Sequence, residues 1–255
     1  MPAEREEVLG SATQAAVVRI GDTVRRPAGP WTPAVHALLR HLEDVGFEGA
    51  PRALGVDEQG REILSYLPST SVWAYAEPVI AASSCVLLRL HDDLDNFAAP
   101  VGAVWRHEID DAVDLRIGHN DIGPQNTVFA SGLPYGFIDW ELAGPRPPLY
   151  DFAYAAINFT PLRPDQFCRM VGFDEPPDRG RRLRLFCDAY GLEDRSTLLD
   201  AMERFERDDL RVMVEGGRAG VSPHSRYLAR GEDRFLRYDL DWLVANGGEL
   251  ERAIR

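Results

Sequence analysis

Positive charge is scarce in this sequence. Its 255 residues carry a formal net charge of −13, which argues against a nucleic-acid or anionic-membrane partner, because such surfaces are met by concentrated Lys and Arg. Cysteine is scarce too: Cys85, Cys168 and Cys187 lie far apart and form no C-x-x-C pair. That spacing argues against a disulfide framework or a cysteine zinc site and predicts reduced thiols. No apolar run reaches the length of a membrane span. The start, Met1-Pro2-Ala3-Glu4-Arg5-Glu6-Glu7, is too charged for a signal peptide, so a soluble, cytoplasmic protein is expected. His107-Glu108 lacks the second histidine of an H-E-x-x-H zinc site, and no internal repeat or low-complexity tract is evident. What remains is an ordinary globular composition, 45% hydrophobic and 27% charged, long enough for a real core in one large domain or two modest lobes.

The stretch from Ile117 to Glu141, IGHNDIGPQNTVFASGLPYGFIDWE, concentrates the chemistry-bearing residues. Asp121, Asn126 and Asp139 each follow or interrupt an apolar run. The pattern predicts a short strand pair joined by the turn Ala130-Ser131-Gly132 with polar groups at its ends. The residue types suit phosphoryl transfer, which requires an oriented hydroxyl, a magnesium ion against the phosphates and an offset for developing charge. A carboxylate such as Asp121 can accept the hydroxyl proton, while the amide oxygen of Asn126 and the carboxylate of Asp139 are hard ligands suited to Mg2+.

Around that stretch the pattern predicts an α+β chain. Val8-Leu9, Ala15 to Ile20 and Thr23 to Arg25 read as three antiparallel strands with a turn at Gly21-Asp22. A helix follows, with Thr32 as N-cap, Pro33 at its first position, a stripe of Val35, Leu38, Leu39 and Leu42, and Gly46 at its end. Two more strands bracket the turn Asp57 to Gly60. From Ser69 onward helices dominate, roughly over residues 78–91, 150–158, 178–190, 196–215 and 231–245. In the fourth of these, Leu198, Met202 and Phe205 set a stripe whose next position is Asp209. An acid on the buried side of a helix is costly unless it is paired or faces a cleft.

The segment His119-Asn120-Asp121-Ile122-Gly123-Pro124-Gln125-Asn126 resembles the H-x-D-x-x-x-x-N loop of the protein-kinase-like superfamily, and Ile138-Asp139-Trp140-Glu141 resembles its D-F-G element. The pattern is most similar to the small-molecule kinases of the aminoglycoside phosphotransferase and choline kinase type. Their loop usually reads H-G-D, and their G-x-x-x-x-D-x-A stretch is matched by Gly144 through Asp151 to Ala153. The resemblance implies a bilobal protein-kinase-like fold: an N-terminal nucleotide-binding lobe of antiparallel sheet and one helix, residues 1–67, and a mainly helical catalytic and acceptor-binding lobe, residues 68–255. It makes Asp121 the catalytic base and Asn126 and Asp139 the metal ligands, with His119 and Asp151 structural. Gly10 to Gln14, including Ser11 and Thr13, becomes the loop over the phosphates, Arg25 of Arg25-Arg26-Pro27 the strand cation, and Ile63 to Pro68, with Ser65 and Leu67, the hinge at the adenine edge. Kinases pair that cation with an early helix glutamate. Here Val35 and His36 stand in its place and the first acid is Glu43, so His36 substitutes, Glu43 reaches, or Arg25 is held otherwise. Asp209 either contacts the acceptor, as acids from this region do in the aminoglycoside branch, or pairs with a nearby arginine.

The function implied is ATP- and Mg2+-dependent transfer of a phosphoryl group to a hydroxyl of a small molecule, for which the acidity of the chain suits a cationic acceptor. The rival is a kinase-like pseudoenzyme or immunity-type binding protein that binds a ligand without transfer. A protein kinase is disfavoured, because no A-P-E-like segment is visible and residues 139–151 are too few for an activation loop. Oligomeric state is left open by the sequence.

Overall fold

The computed structural model describes residues 6–9, 17–107 and 114–255. They pack as two units, one of residues 1–72 with 86–148 and the other of residues 73–85 with 149–255. The predicted α+β arrangement is found, with an antiparallel sheet near the N-terminus and helices dominating the C-terminal half.

The first unit opens with a five-stranded antiparallel sheet. β1 (Glu7–Val8), β2 (Val18–Ile20), β3 (Thr23–Pro27), β4 (Ala53–Val56) and β5 (Arg61–Ser65) lie in the order β1-β2-β3-β5-β4. Gly21 takes φ +58° at the β2–β3 turn, a left-handed conformation that glycine adopts without a Cβ clash. Helix α1 (Thr32–Asp44) buries Val35, Leu38, Leu39 and Leu42 almost completely. Its N-cap is Trp31 rather than the predicted Thr32. The Thr32 hydroxyl accepts from the Gly29 amide at 2.9 Å, bracing the loop before the helix instead of capping it.

Two small hairpin-like pairs carry the polar stretch singled out above. β6 (Arg116–Gly118) pairs with β9 (Gly144–Arg146), and β7 (Thr127–Ala130) pairs with β8 (Leu133–Phe137), both antiparallel. The β7–β8 turn has left-handed Ser131 and Gly132, the twist that suits a tight hairpin. The Phe137 amide donates to the Gly49 carbonyl at 2.7 Å. A Cβ on Gly136 would sit 2.2 Å from that same carbonyl oxygen, so only glycine lets β8 approach the segment between α1 and β4.

The second unit is helical. It takes the start of α2 (Glu77–Leu94), then α3 (Tyr150–Phe159), α4 (Asp165–Met170), α5 (Arg179–Tyr190), α6 (Leu198–Arg218), α7 (His224–Ala229) and α8 (Asp233–Ile254). Its core joins Phe152, Phe159 and Phe186 to Leu198, Met202 and Leu243. Asp178 caps α5 through the Arg181 amide, and Asp151 lies buried in the first turn of α3, where a carboxylate favours the positive helix end. No helix of the described residues is long and apolar enough to cross a membrane.

Candidate active site

β6 delivers the chain to His119, which is fully buried. Its Nε2 lies 3.0 Å from the Ile138 carbonyl, its Nδ1 accepts from the Asp121 amide at 3.3 Å, and its ring packs 4.5 Å from that of Trp140. It is a bracket for the loop, as its buried position implies. Asn120 adopts φ +66°, which explains how asparagine stands where the resembled pattern has glycine: both tolerate the left-handed region. Its Nδ2 donates to the carbonyls of Leu142 and Gly144, each at 3.0 Å, a clamp glycine could not supply.

Asn126 closes the 3-10 turn Pro124–Asn126. Its Nδ2 donates to the Asp121 carbonyl at 2.9 Å and to Asp121 Oδ2 at 2.8 Å, and its own carbonyl accepts from the Ile138 amide at 2.8 Å. The loop bearing Asp121 and Asn126 is thereby stitched to the one bearing Asp139. Asp139 is itself left-handed, with φ 66° and ψ 57°, and the buried Trp140 indole donates to the Phe137 carbonyl at 2.9 Å. A non-glycine residue in this region costs about 1 kcal/mol or more, and such strain clusters at functional sites.

Of the doublet Arg25-Arg26, it is Arg26 that meets Asp139. β3 alternates, and Arg25 points to the face where its Nη1 donates to Thr23 Oγ1 at 2.5 Å and its Nε lies 3.8 Å from Asp57. Arg26, one residue on, takes the face of Val24 and Leu64 and reaches Asp139 Oδ1 through Nη1 at 2.5 Å. Its Nε donates to Glu62 Oε1, and His36 Nε2 lies 3.0 Å from Glu62 Oε2. Glu43 instead lies 3.9 Å from Arg52. Burial alone would raise the Glu62 pKa, but the His36 hydrogen bond and the Arg26 charge outweigh it and hold the carboxyl below its usual range. Burial would likewise lower Arg26, and the charges of Glu62 and Asp139 raise it instead.

A cavity of about 260 Å³ collects these groups: Arg26, Asn126 and Asp139 at its polar end, Val24, Leu64 and Ile138 as apolar wall, with Ser65 and Leu67 also lining it. The Ser65 amide and hydroxyl both bond to the Arg52 backbone, at 3.0 and 2.8 Å. Ser11 and Thr13 lie outside the described residues. The donor set suits magnesium. With Nδ2 of Asn126 committed to Asp121, the amide offers its oxygen, and Asp139 retains Oδ2 beside the one Arg26 holds. Two hard oxygens are enough for an ion that keeps waters and takes the rest of its shell from phosphates. No group of three His, Cys, Asp or Glu that could form an all-protein cage exists among the described residues.

In the second unit the expected acid, Asp209, belongs to a cluster around Arg163. Arg163 Nη1 donates to Asp239 Oδ2 and lies 3.9 Å from Glu206 Oε1, and Nη2 donates to Asn158 Oδ1 at 3.2 Å. Burial pushes the Asp209 carboxyl up, opposed by the Arg163 charge. Glu206, one turn earlier on α6, went unnoticed in the sequence, although it is the more buried of the two. Its carboxyl is pushed up to about 7 by burial, against the pull of Arg163.

Comparison with known proteins gives the family and the fold. The sequence profile of the phosphotransferase enzyme family (APH) matches residues 78–186. A trifolitoxin immunity protein from Rhizobium leguminosarum bv. trifolii is 35% identical over 230 residues, covering 86% of this chain and 87% of that protein. Among solved structures, an amicoumacin kinase in complex with AMP-PNP and Ca2+ superposes with a TM-score of 0.66 at 12% identity, over 94% of this chain and 89% of its own. The GDP complex of an aminoglycoside 2'-phosphotransferase does so with a TM-score of 0.57 at 15% identity, over 100% and 93%. At such identities these structures establish the protein-kinase-like fold.

Proposed function

Because this chain belongs to the APH phosphotransferase enzyme family, we propose that it moves the terminal phosphoryl group of ATP, held with Mg2+, onto a hydroxyl of a small molecule. One observation carries the reading. Asn126 is bonded to Asp121 and tied to Ile138, and it lines a single cavity with Asp139 and Arg26.

In this reading Asp121 orients the acceptor hydroxyl and takes its proton as the acceptor oxygen bonds to phosphorus and the bond to the nucleoside diphosphate breaks. Asn126, through its amide oxygen, and Asp139 hold the magnesium ion, which neutralises charge on the phosphate oxygens when bound. Arg26, rather than Arg25, meets the phosphates with a planar, permanently charged fork. Leu67 and the backbone of Ser65 face the adenine, with Ser11 and Thr13 over the phosphates. Residues 1–67 would then supply the nucleotide side, and residues 68–255 the catalytic loop and acceptor side. The net charge of −13 and the acids of α6, Asp209 among them, favour a cationic acceptor.

A second reading is favoured by the name of the 35% identical relative: a kinase-like protein that confers immunity by binding a toxin without transfer. The two part on one experiment. Purified protein with ATP and Mg2+ is screened against hydroxylated antibiotics, amino alcohols and peptide toxins for ADP release and phosphorylated product. Transfer predicts an acceptor-dependent signal lost in Asp139→Ala, with the circular dichroism spectrum unchanged. No signal with any acceptor, together with nucleotide affinity that ignores magnesium, supports the binding protein instead.

A further inference from the structure

We propose that Glu62 is the positioning residue for Arg26, with His36 as its second anchor, so that the cation which meets the phosphates is held by the sheet and not by a glutamate of helix α1. The inference rests on the phosphotransferase reading of the cavity.

Three observations carry it. Arg26 and Glu62 are directly opposite each other on the antiparallel strands β3 and β5. Side chains at such positions leave the same face with neighbouring Cβ atoms, so the ladder hydrogen bonds themselves set the pair. Glu62 is 2% exposed and both its oxygens are engaged, Oε1 by Arg26 Nε and Oε2 by His36 Nε2. Finally, Arg26 divides its nitrogens: Nε is spent on Glu62, Nη1 on Asp139, and Nη2 is buried with no hydrogen-bond partner among the described residues. That unspent donor belongs to a side chain lining the cavity, where a phosphate oxygen would satisfy it.

Residue type follows from this division of labour. The chain has no lysine, and all 28 of its basic residues are arginine. A lysine carries its donors on one nitrogen, so anchoring it and presenting it to phosphate compete. Arginine can give Nε to an anchor and Nη1 to Asp139 and still carry a donor on Nη2. The acid on β5 supplies the ion pair in place of a glutamate on helix α1, which contributes the imidazole of His36.

The test measures dissociation constants by calorimetry for the Mg2+ complex of ATP or GTP, whichever binds the wild type more tightly, and for the matching nucleoside without phosphates. Glu62→Gln keeps the shape but not the charge. It is expected to weaken the triphosphate about tenfold or more, the scale of a lost charge-assisted contact, and to leave the nucleoside within about twofold. His36→Gln should fall between wild type and Glu62→Gln. The double variant Glu62→Gln with His36→Glu moves the acid to the helix and should recover most of the triphosphate affinity, a rescue that a purely structural role gives no reason to expect. Equal weakening of triphosphate and nucleoside in Glu62→Gln, or an unchanged triphosphate constant, overturns the positioning role while the phosphotransferase reading stands. A wild type that binds neither triphosphate overturns that reading and this inference together.

Discussion

Glu62 in the first unit and Glu206 in the second are each 2% exposed, yet their carboxyls are driven in opposite directions. Glu62 is held below its usual range and Glu206 is pushed up to about 7. Burial acts on both alike and favours the neutral acid, so the difference lies in what each carboxylate touches. Glu62 has a guanidinium nitrogen on one oxygen and an imidazole nitrogen on the other. Glu206 has Arg163 only at 3.9 Å from Oε1, and its Oε2 is buried without a partner among the described residues. The crowd matters too: Arg163 lies within 4 Å of both Asp239 and Glu206, and its charge also acts on Asp209, together with that of His224. One cluster is a balanced device presented to a cavity, and the other holds more acid than its cation can neutralise.

The largest effect should come from removing the overworked cation. Arg163→Met leaves Asp239 and Glu206 buried without their counter-charge and should cost about 3–5 kcal/mol, the usual penalty for stranding a buried charge. Urea denaturation followed by amide exchange on α6 and α8 measures it. The variant should place the loss in the second unit. A loss confined to the first unit would break the comparison.

How much of this contrast could be read before the structure depends on distance along the chain. That Asp121 and Asn126 lie bonded together, with Asn126 and Asp139 on one cavity, was legible because the three stand at short spacing in one stretch, and the α1 stripe and the β7–β8 hairpin were legible because they are local. The Arg26–Glu62 pair was not, because it is set by the β3–β5 register, between residues 36 positions apart. The doublet Arg25-Arg26 hid the strand phase, although Val24 alternating with Arg26 on the face of Leu64 was a usable signal. Asp209 was picked over Glu206 by extending an apolar stripe, whereas the deciding partner, Arg163, comes from the loop before α4. The six-residue helices α4 and α7 are too short to show periodicity and went unseen.

The contrast also has a pH signature. A carboxyl raised from its ordinary range near 4.5 to about 7 in the folded state keeps a proton there that the unfolded chain has lost. Stability from this group therefore declines as pH rises from about 4.5 to 7 and stays reduced above it. Asp209 and Asp239, both raised chiefly by burial, act in the same direction. Glu62, held low, does the reverse: its contribution is present at neutral pH and fades as the solution becomes acid enough to protonate it. Glu206→Gln should accordingly gain about 2–3 kcal/mol on wild type between pH 5 and pH 8, from a shift of roughly 2.5 pKa units. Chemical denaturation at the two pH values reads the gain directly, and a flat difference would mean that Glu206 is ionised at both.

The smallest effect sharpens the comparison from inside the first unit, where two adjacent arginines differ only in strand phase. Arg25 is tied to Thr23 and Asp57 on the face away from the cavity, and Asp57 is already held by Arg61 at 2.8 Å. Loss of Arg25 therefore leaves Asp57 paired with Arg61 at 2.8 Å, and the longer Arg25–Asp57 contact at 3.8 Å contributes little beside it. Arg25→Ala should keep Mg·ATP affinity within about twofold of wild type, whereas Arg26→Ala should lose tenfold or more, the scale of a missing charge-assisted phosphate contact. Alternation alone separates the two, since a strand sends successive side chains to opposite faces. If both substitutions weakened the nucleotide equally, the phase of β3 at the cavity would be other than described, and the anchoring role of Glu62 would go with it.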